Sequence, residues 1–262
     1  MNYVLFQPRD GLGSVLCRFA MLLETFPDKK IIIDVEWWNY YNRKNVGVDE
    51  EKMVVDFNYN KFISEFRLHP RVIFSPSIIS TIDKKDIYEL PRGYYGPNQN
   101  QIPELSESNL MILPRKHVEI KNCIGVHARL GNGEKKGNGE TYKRMDISPG
   151  LFIKAMRKFK SDFDFYVCSD TKDFIDLCKE EFGDRVKTQD REYSPRGAGP
   201  GHLRRMRDAR ADPVCLIKEA LIDILILSKC KHLICNPSSF TALAKNTISD
   251  KNIIMIRPNE KN

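Results

Sequence analysis

The sequence has no apolar run approaching the roughly 20 residues needed to span a bilayer, no C-x-x-C pair, and no internal repeat, heptad or low-complexity tract. The first absence argues against a membrane-spanning helix. The start, Met1-Asn2-Tyr3-Val4-Leu5-Phe6-Gln7-Pro8, also lacks the basic n-region and long h-region of a secretory signal, so the chain reads as cytoplasmic. Its seven cysteines are odd in number and sit mostly in apolar runs (Cys123, Cys168, Cys215, Cys230, Cys235). That placement fits reduced core thiols and argues against a disulfide framework or a cysteine-held metal.

What is present is the composition of an ordinary globule, with 262 residues and 41% hydrophobic content, enough for two small α/β lobes or one large domain. The net charge of +7 is uneven. Between Arg185 and Arg210 basic residues outnumber acidic ones, and the same stretch holds Ser194-Pro195-Arg196-Gly197-Ala198-Gly199-Pro200-Gly201, which excludes regular structure. It is either a solvated mobile loop or a basic flap that closes on an anion.

The N-terminal pattern is a strand (Tyr3-Val4-Leu5-Phe6), a glycine turn (Gly11-Leu12-Gly13-Ser14), an amphipathic helix from about Val15 to Phe26, and a strand at 30–35 ending past Asp34. Such a β-loop-α-β unit predicts parallel pairing. Residues 36–110 read as irregular, with short apolar runs such as Val72-Ile73-Phe74. From residue 121 strands and helices alternate cleanly: strand 123–128, helix 148–160, strand 163–168, helix 171–182, a short strand at 185–188, helix 213–229, strand 232–235, helix 238–246, strand 252–256. The change of pattern near 114–121 predicts an N-terminal lobe over 1–118 and a second, nucleotide-binding-like lobe over 119–262, two Rossmann-like lobes facing a cleft.

Ligands of open α/β sheets gather at the carboxyl ends of the strands, and three such ends are unusual here. In Ile124-Gly125-Val126-His127-Ala128-Arg129-Leu130-Gly131-Asn132-Gly133-Glu134 a buried strand delivers His127 and Arg129 to that edge, and the glycines allow Glu134 to turn back towards it. Phe165-Tyr166-Val167-Cys168-Ser169-Asp170 ends in a polar pair that either reaches a ligand or caps the next helix. Cys235-Asn236-Pro237-Ser238-Ser239-Phe240 runs into a helix start, where Ser238 and Ser239 either form a plain N-cap or, with Arg129, cradle a diphosphate. Asp223 stands in an apolar helix, either in a core ion pair with Arg129 or as an acceptor for the N–H edge of guanine.

Read together, His127-Ala128-Arg129-Leu130-Gly131-Asn132-Gly133-Glu134 resembles the H-V-R-x-G-N-G-E signature of the nodulation fucosyltransferase (NodZ) family, a branch of the α1,2-, α1,6- and protein O-fucosyltransferases. Cys168-Ser169-Asp170 is similar to that family's C-[ST]-D strand end, the 196–202 segment from Arg196 to His202 to its A-G-P-x-H loop, and Asp223 with Pro237-Ser238-Ser239-Phe240 to its third motif. Gly11 and Gly13 opening a helix extend the resemblance to the first lobe.

The resemblance implies an α/β, GT-B-like enzyme that moves L-fucose from GDP-β-L-fucose to a glycan hydroxyl with inversion and without a metal or other cofactor. Its partners are then a GDP-sugar donor and an oligosaccharide acceptor, with no nucleic acid. It implies that Arg129 holds the β-phosphate, His127 and Asp223 the guanosine, and Ser238 and Ser239 the diphosphate. Gly11 and Gly13 would admit the donor to the backbone. Asp170, Arg196, His202 and Phe240 fall on the donor motifs, and Glu134, with Glu140 as rival, is the base. Leu130 stands where related enzymes have a second arginine, so a second phosphate contact would come from Arg196 or Arg205. The competing readings are another nucleotide sugar on the same scaffold, a non-catalytic sugar-nucleotide module, or nucleic-acid binding through Arg204-Arg205-Met206-Arg207 with Phe182 and Tyr193.

Overall fold

The computed structural model describes residues 2–6, 12–33, 61, 64–74, 81–90, 112–114, 122–131, 147–193, 212–245 and 252–258. The chain divides into two compact units, Met1–Lys116 and His117–Asn262.

In the first unit β1 (Tyr3–Phe6) leads into α1 (Leu12–Thr25) and β2 (Lys30–Ile33), followed by β3 (Phe66–Leu68), β4 (Val72–Phe74), β5 (Ile87–Glu89) and β6 (Ile112–Pro114). The four strands β4-β2-β1-β5 form one sheet, and its pairs are all parallel. β3 and β6 form a separate antiparallel ribbon. From Val15 to Leu23 every residue of α1 except Arg18 is buried, so the helix is covered on nearly all sides there. The last carbonyls of a helix have no partner within it, and here Arg71 supplies one. Its guanidinium donates to the carbonyls of Leu23 (2.9 Å), Phe26 (2.7 Å) and Pro27 (2.6 Å).

Two expectations are corrected in this unit. The helix begins at Leu12, so Gly13 lies in its first turn rather than in a preceding loop. The stretch read as irregular contains β3, β4 and β5. Strands of three residues are too short to show a period of two: β4 and β5 take their places beside β2 and β1, and β3 pairs with β6.

The second unit runs β7 (Cys123–Ala128), α2 (Pro149–Met156), β8 (Asp164–Ser169), α3 (Lys172–Phe182), β9 (Val186–Lys187), α4 (Pro213–Lys229), β10 (His232–Cys235), α5 (Ser239–Lys245) and β11 (Ile253–Met255). Its five strands lie in the order β11-β10-β7-β8-β9, all parallel. Alternate residues point to opposite faces and both faces are covered, which is why the strands read as continuous apolar runs. Ile124, Val126, Phe165, Val167 and Ile234 pack against Phe152 and Met156 of α2 and Phe174 and Cys178 of α3. Cys123, Tyr166, Cys168, Leu233 and Cys235 pack against Ile226 and Leu227 of α4 and Ala244 of α5.

Gly125 sets how closely α4 lies on β7, since an added Cβ would stand 2.9 Å from a Leu227 methyl and 3.3 Å from the Cys230 Cβ. The helix expected over 148–160 stops at Met156, where Lys158 and Phe159 switch to bonds three residues back. Six cysteines are buried as expected of core thiols, whereas Cys215 is exposed on the first turn of α4, on its outer side. The architecture is α/β and GT-B-like, two Rossmann-like parallel-sheet units in one chain.

Candidate functional site

In the second unit the strand order reverses between β7 and β10, with the chain winding to β8 and β9 on one side and to β11 on the other. Crevices at such switch points, outside the carboxyl ends of the strands, are the ligand sites of open α/β sheets. The polar residues here converge on that point.

Arg129 follows β7 directly. Its guanidinium is paired with Asp170 at the end of β8. The other Asp170 bonds hold the turn itself, with the N–H of Leu130 donating to Oδ1 (2.8 Å) and the N–H of Gly131 to Oδ2 (2.8 Å). Gly131 takes φ of 81°, a region that favours glycine. Asp170 therefore clamps the neighbouring strand end, and the helix-cap reading is corrected: the residue before α3 is Thr171, whose N–H is held by Ser169 Oγ (3.2 Å). Ser169 Oγ in turn donates to the Ala128 carbonyl (2.7 Å).

From the other side, Asn236 at the end of β10 grips the Arg129 backbone, accepting its N–H at Oδ1 (2.8 Å) and donating Nδ2–H to its carbonyl (2.9 Å). Two residues on, Ser238 Oγ accepts the N–H of Thr241 (3.1 Å). That is the geometry of an N-cap for α5. Phe240 lies face to face with His127, with ring centroids 4.8 Å apart and planes 13° from parallel.

His127 is buried, and its Nδ1 has no hydrogen-bond partner among the described residues. Burial pushes its pKa down to about 4, against the pull of Asp170 and Asp223 and with the help of Arg129 and Arg191. At neutral pH it is therefore an uncharged imidazole rather than a cation.

Asp223 sits beneath this surface, 2% exposed. Oδ1 accepts from the Tyr166 hydroxyl (2.6 Å) and Gln189 Nε2 (2.5 Å), and Oδ2 from Arg191 (2.5 Å). The core ion pair is thus with Arg191 and not with Arg129. Burial and the Asp223 charge push the Tyr166 hydroxyl far up, so it stays a donor. Burial opposes the Arg191 charge, and Asp223 more than offsets it.

Asn236, Tyr166, Gln189 and Arg191 were missed in the sequence reading. Only Arg191 had a signal: a carboxylate inside an apolar helix demands a cation, and the segment 185–191 is rich in them. Arg185 is held internally too, donating to the carbonyls of Phe163 (3.0 Å) and Lys160 (2.7 Å) and lying 4.8 Å over the Phe165 ring. Phe182 and Tyr193 pack against the core, so they form no exposed stacking surface. Gly11, Glu134, Glu140, Arg196, His202 and Arg205 lie outside the described residues, and Gly13 belongs to the other unit. Among the described residues no cluster of three or more His, Cys, Asp or Glu is placed to hold a metal ion, and no helix is long and apolar enough to cross a membrane.

No protein-family model and no curated protein matches the sequence. Solved structures do. A NodZ α-1,6-fucosyltransferase soaked with GDP-fucose matches over 94% of this chain and 92% of its own, at a TM-score of 0.54 and 16% identity. In fold, the chain is similar to NodZ. NodZ co-crystallised with GDP gives 0.53 at 16% identity, covering 93% of this chain and 91% of its own. NodZ from Bradyrhizobium gives 0.53 at 17%, covering 93% and 92%. The likeness to NodZ spans both units, so the resemblance read from four short motifs is met in the fold of nearly the whole chain.

Proposed function

We propose that the protein is an inverting, metal-independent fucosyltransferase that moves L-fucose from GDP-β-L-fucose to a hydroxyl of a glycan acceptor. One observation carries the reading: a neutral histidine stacked on Phe240 and an arginine held by Asp170 meet at the switch point of a sheet whose fold is similar to that of NodZ, a protein solved with GDP-fucose.

In this reading Arg129 meets the β-phosphate of the donor, with Ser238 and Ser239 at the start of α5 beside it, and Arg196 and His202 of the basic segment contribute to donor binding. His127 and Phe240 face the guanosine. Asp223 reaches a guanine edge only if Tyr166 or Gln189 gives way, because a guanine N1–H and N2–H pair needs both oxygens and Oδ1 already takes those two donors. The transfer itself is one in-line displacement. An acceptor oxygen bonds to C1 of fucose while the C1–oxygen bond to the diphosphate breaks, and the electron pair leaves with GDP. The hydroxyl proton passes to the carboxylate of Glu134. Arg129 stabilises the charge that develops on the departing phosphate.

The test is thermal stabilisation by GDP, UDP, ADP and CMP in EDTA. A ligand that binds only the folded state at 100 times its Kd adds about 2.7 kcal/mol. A shift with GDP alone, followed by turnover of GDP-fucose that Glu134→Gln abolishes, is the expected result. A flat response to GDP, or one that needs a divalent ion, overturns it.

A further inference from the structure

The carboxyl end of β7 is held by side chains from distant parts of the chain, Asn236 and Asp170 on the residues after it and Ser169 on its last carbonyl. Asn236 is fully buried, and its amide meets Arg129 twice, as acceptor of the N–H (2.8 Å) and donor to the carbonyl (2.9 Å). An amide that offers one acceptor and one donor satisfies both main-chain groups of the residue it faces, as a neighbouring strand does. It does so where the β7–β10 ladder ends, at the pairing of Cys235 with His127. Pro237 follows and keeps Asn236 extended. The Thr241 hydroxyl lies within hydrogen-bond reach of the carbonyls of both Asn236 (3.2 Å) and Ser238 (3.0 Å), so Asn236 also borders the first turn of α5. Asp170 completes the clamp by taking the next two N–H groups, of Leu130 and Gly131.

We propose that Asn236 is a positioning residue for anion binding: by gripping the Arg129 backbone on both sides it fixes the direction in which the guanidinium is presented. Where the anion is the diphosphate of a nucleotide, the proposal rests on the donor reading above. An amide suits this task better than a carboxylate. Asp170 already balances the Arg129 charge, and a second carboxylate beside it would repel a phosphate. An amide grips the backbone with no charge at all. Arg129, anchored by its own main chain, keeps its aim with little reorganisation when a ligand arrives.

The experiment measures binding of GDP, inorganic pyrophosphate and guanosine to the full chain in EDTA, together with amide hydrogen exchange at residues 129–131. The proteins are wild type, Asn236→Ser, Asn236→Asp, Arg129→Met and the double variant Asn236→Ser/Arg129→Met. Asn236→Ser is expected to weaken GDP and pyrophosphate about tenfold, to leave guanosine unchanged, and to speed exchange at 129–131 but not in β8. In the Arg129→Met background the serine has no further effect on pyrophosphate. Asn236→Asp keeps the acceptor and opposes the Arg129 carbonyl, so it weakens anions at least as much; if it fails to fold, the uncharged serine variant decides.

Unchanged anion affinity, an equal loss for guanosine, or a full effect in the Arg129→Met background overturns the proposal. If wild type binds pyrophosphate but not GDP, the donor reading falls and Asn236 is judged on pyrophosphate. If wild type binds neither, the anion site and this proposal fall together.

Discussion

Asp170 and Asp223 belong to the same unit and each holds an arginine, yet one pair stands at the rim of the sheet and the other beneath it. The side chains of Arg129 and Asp170 are 20% and 9% exposed, those of Arg191 and Asp223 12% and 3%. At the rim Asp170 serves mainly the backbone, fixing a turn while its arginine keeps a face to solvent. In the interior all of Asp223 is engaged by protein donors. The same pair of residue types therefore has opposite roles. Removing the rim pair should affect ligands first, and removing the interior pair should affect the fold first.

The largest effect is expected from Asp223→Ala, which leaves the Arg191 charge buried and unpaired and takes an acceptor from Tyr166 and Gln189; urea denaturation should show a loss of about 3–5 kcal/mol. A variant that kept full stability and lost only GDP would break the comparison and return Asp223 to guanine recognition. Next comes pH. The pKa of His127 moves from 6.5 in the unfolded chain to about 4 in the folded one. The unfolded chain therefore takes up a proton first, and stability present above the upper value is lost as pH falls through that window, by on the order of 3 kcal/mol. His127→Gln should remove that part of the pH slope, read as the difference between the two stability profiles. Asp170→Ala releases two N–H groups and the Arg129 pair at once, and should cost about 1–3 kcal/mol while also weakening GDP. Ser238→Ala removes the cap of α5 for about 1 kcal/mol. Smallest in stability is Arg129→Met, expected within about 1 kcal/mol of wild type because Asp170 keeps its bonds from the Leu130 and Gly131 N–H groups. Its GDP affinity should nevertheless fall about tenfold or more. A large stability loss there would erase the distinction between rim and interior.

The alternation of the second unit was legible because each element was long and patterned: the run 123–128 is β7 residue for residue, and 213–229 is α4. The first unit was half legible. β1, α1 and β2 showed a pattern, whereas β4 and β5 gained their place from pairing with β2 and β1. At the site, His127 and Arg129 were named from the motif, and the structure sets them at the switch point with Asp170, Phe240 and Ser238 around them. Asn236 was invisible because nothing local distinguishes an asparagine that caps a turn from one that reaches a residue 107 positions earlier.

The sequence by itself determined the element types of the second unit, the basic strand end at 127–129 and the glycine turn that follows, since all three depend on residues close together in the chain. Tertiary structure alone decided which cation meets Asp223, which side chains hold Arg129, and that His127 is neutral. Those outcomes depend on what is brought alongside through space, and on how much water is driven out when it arrives.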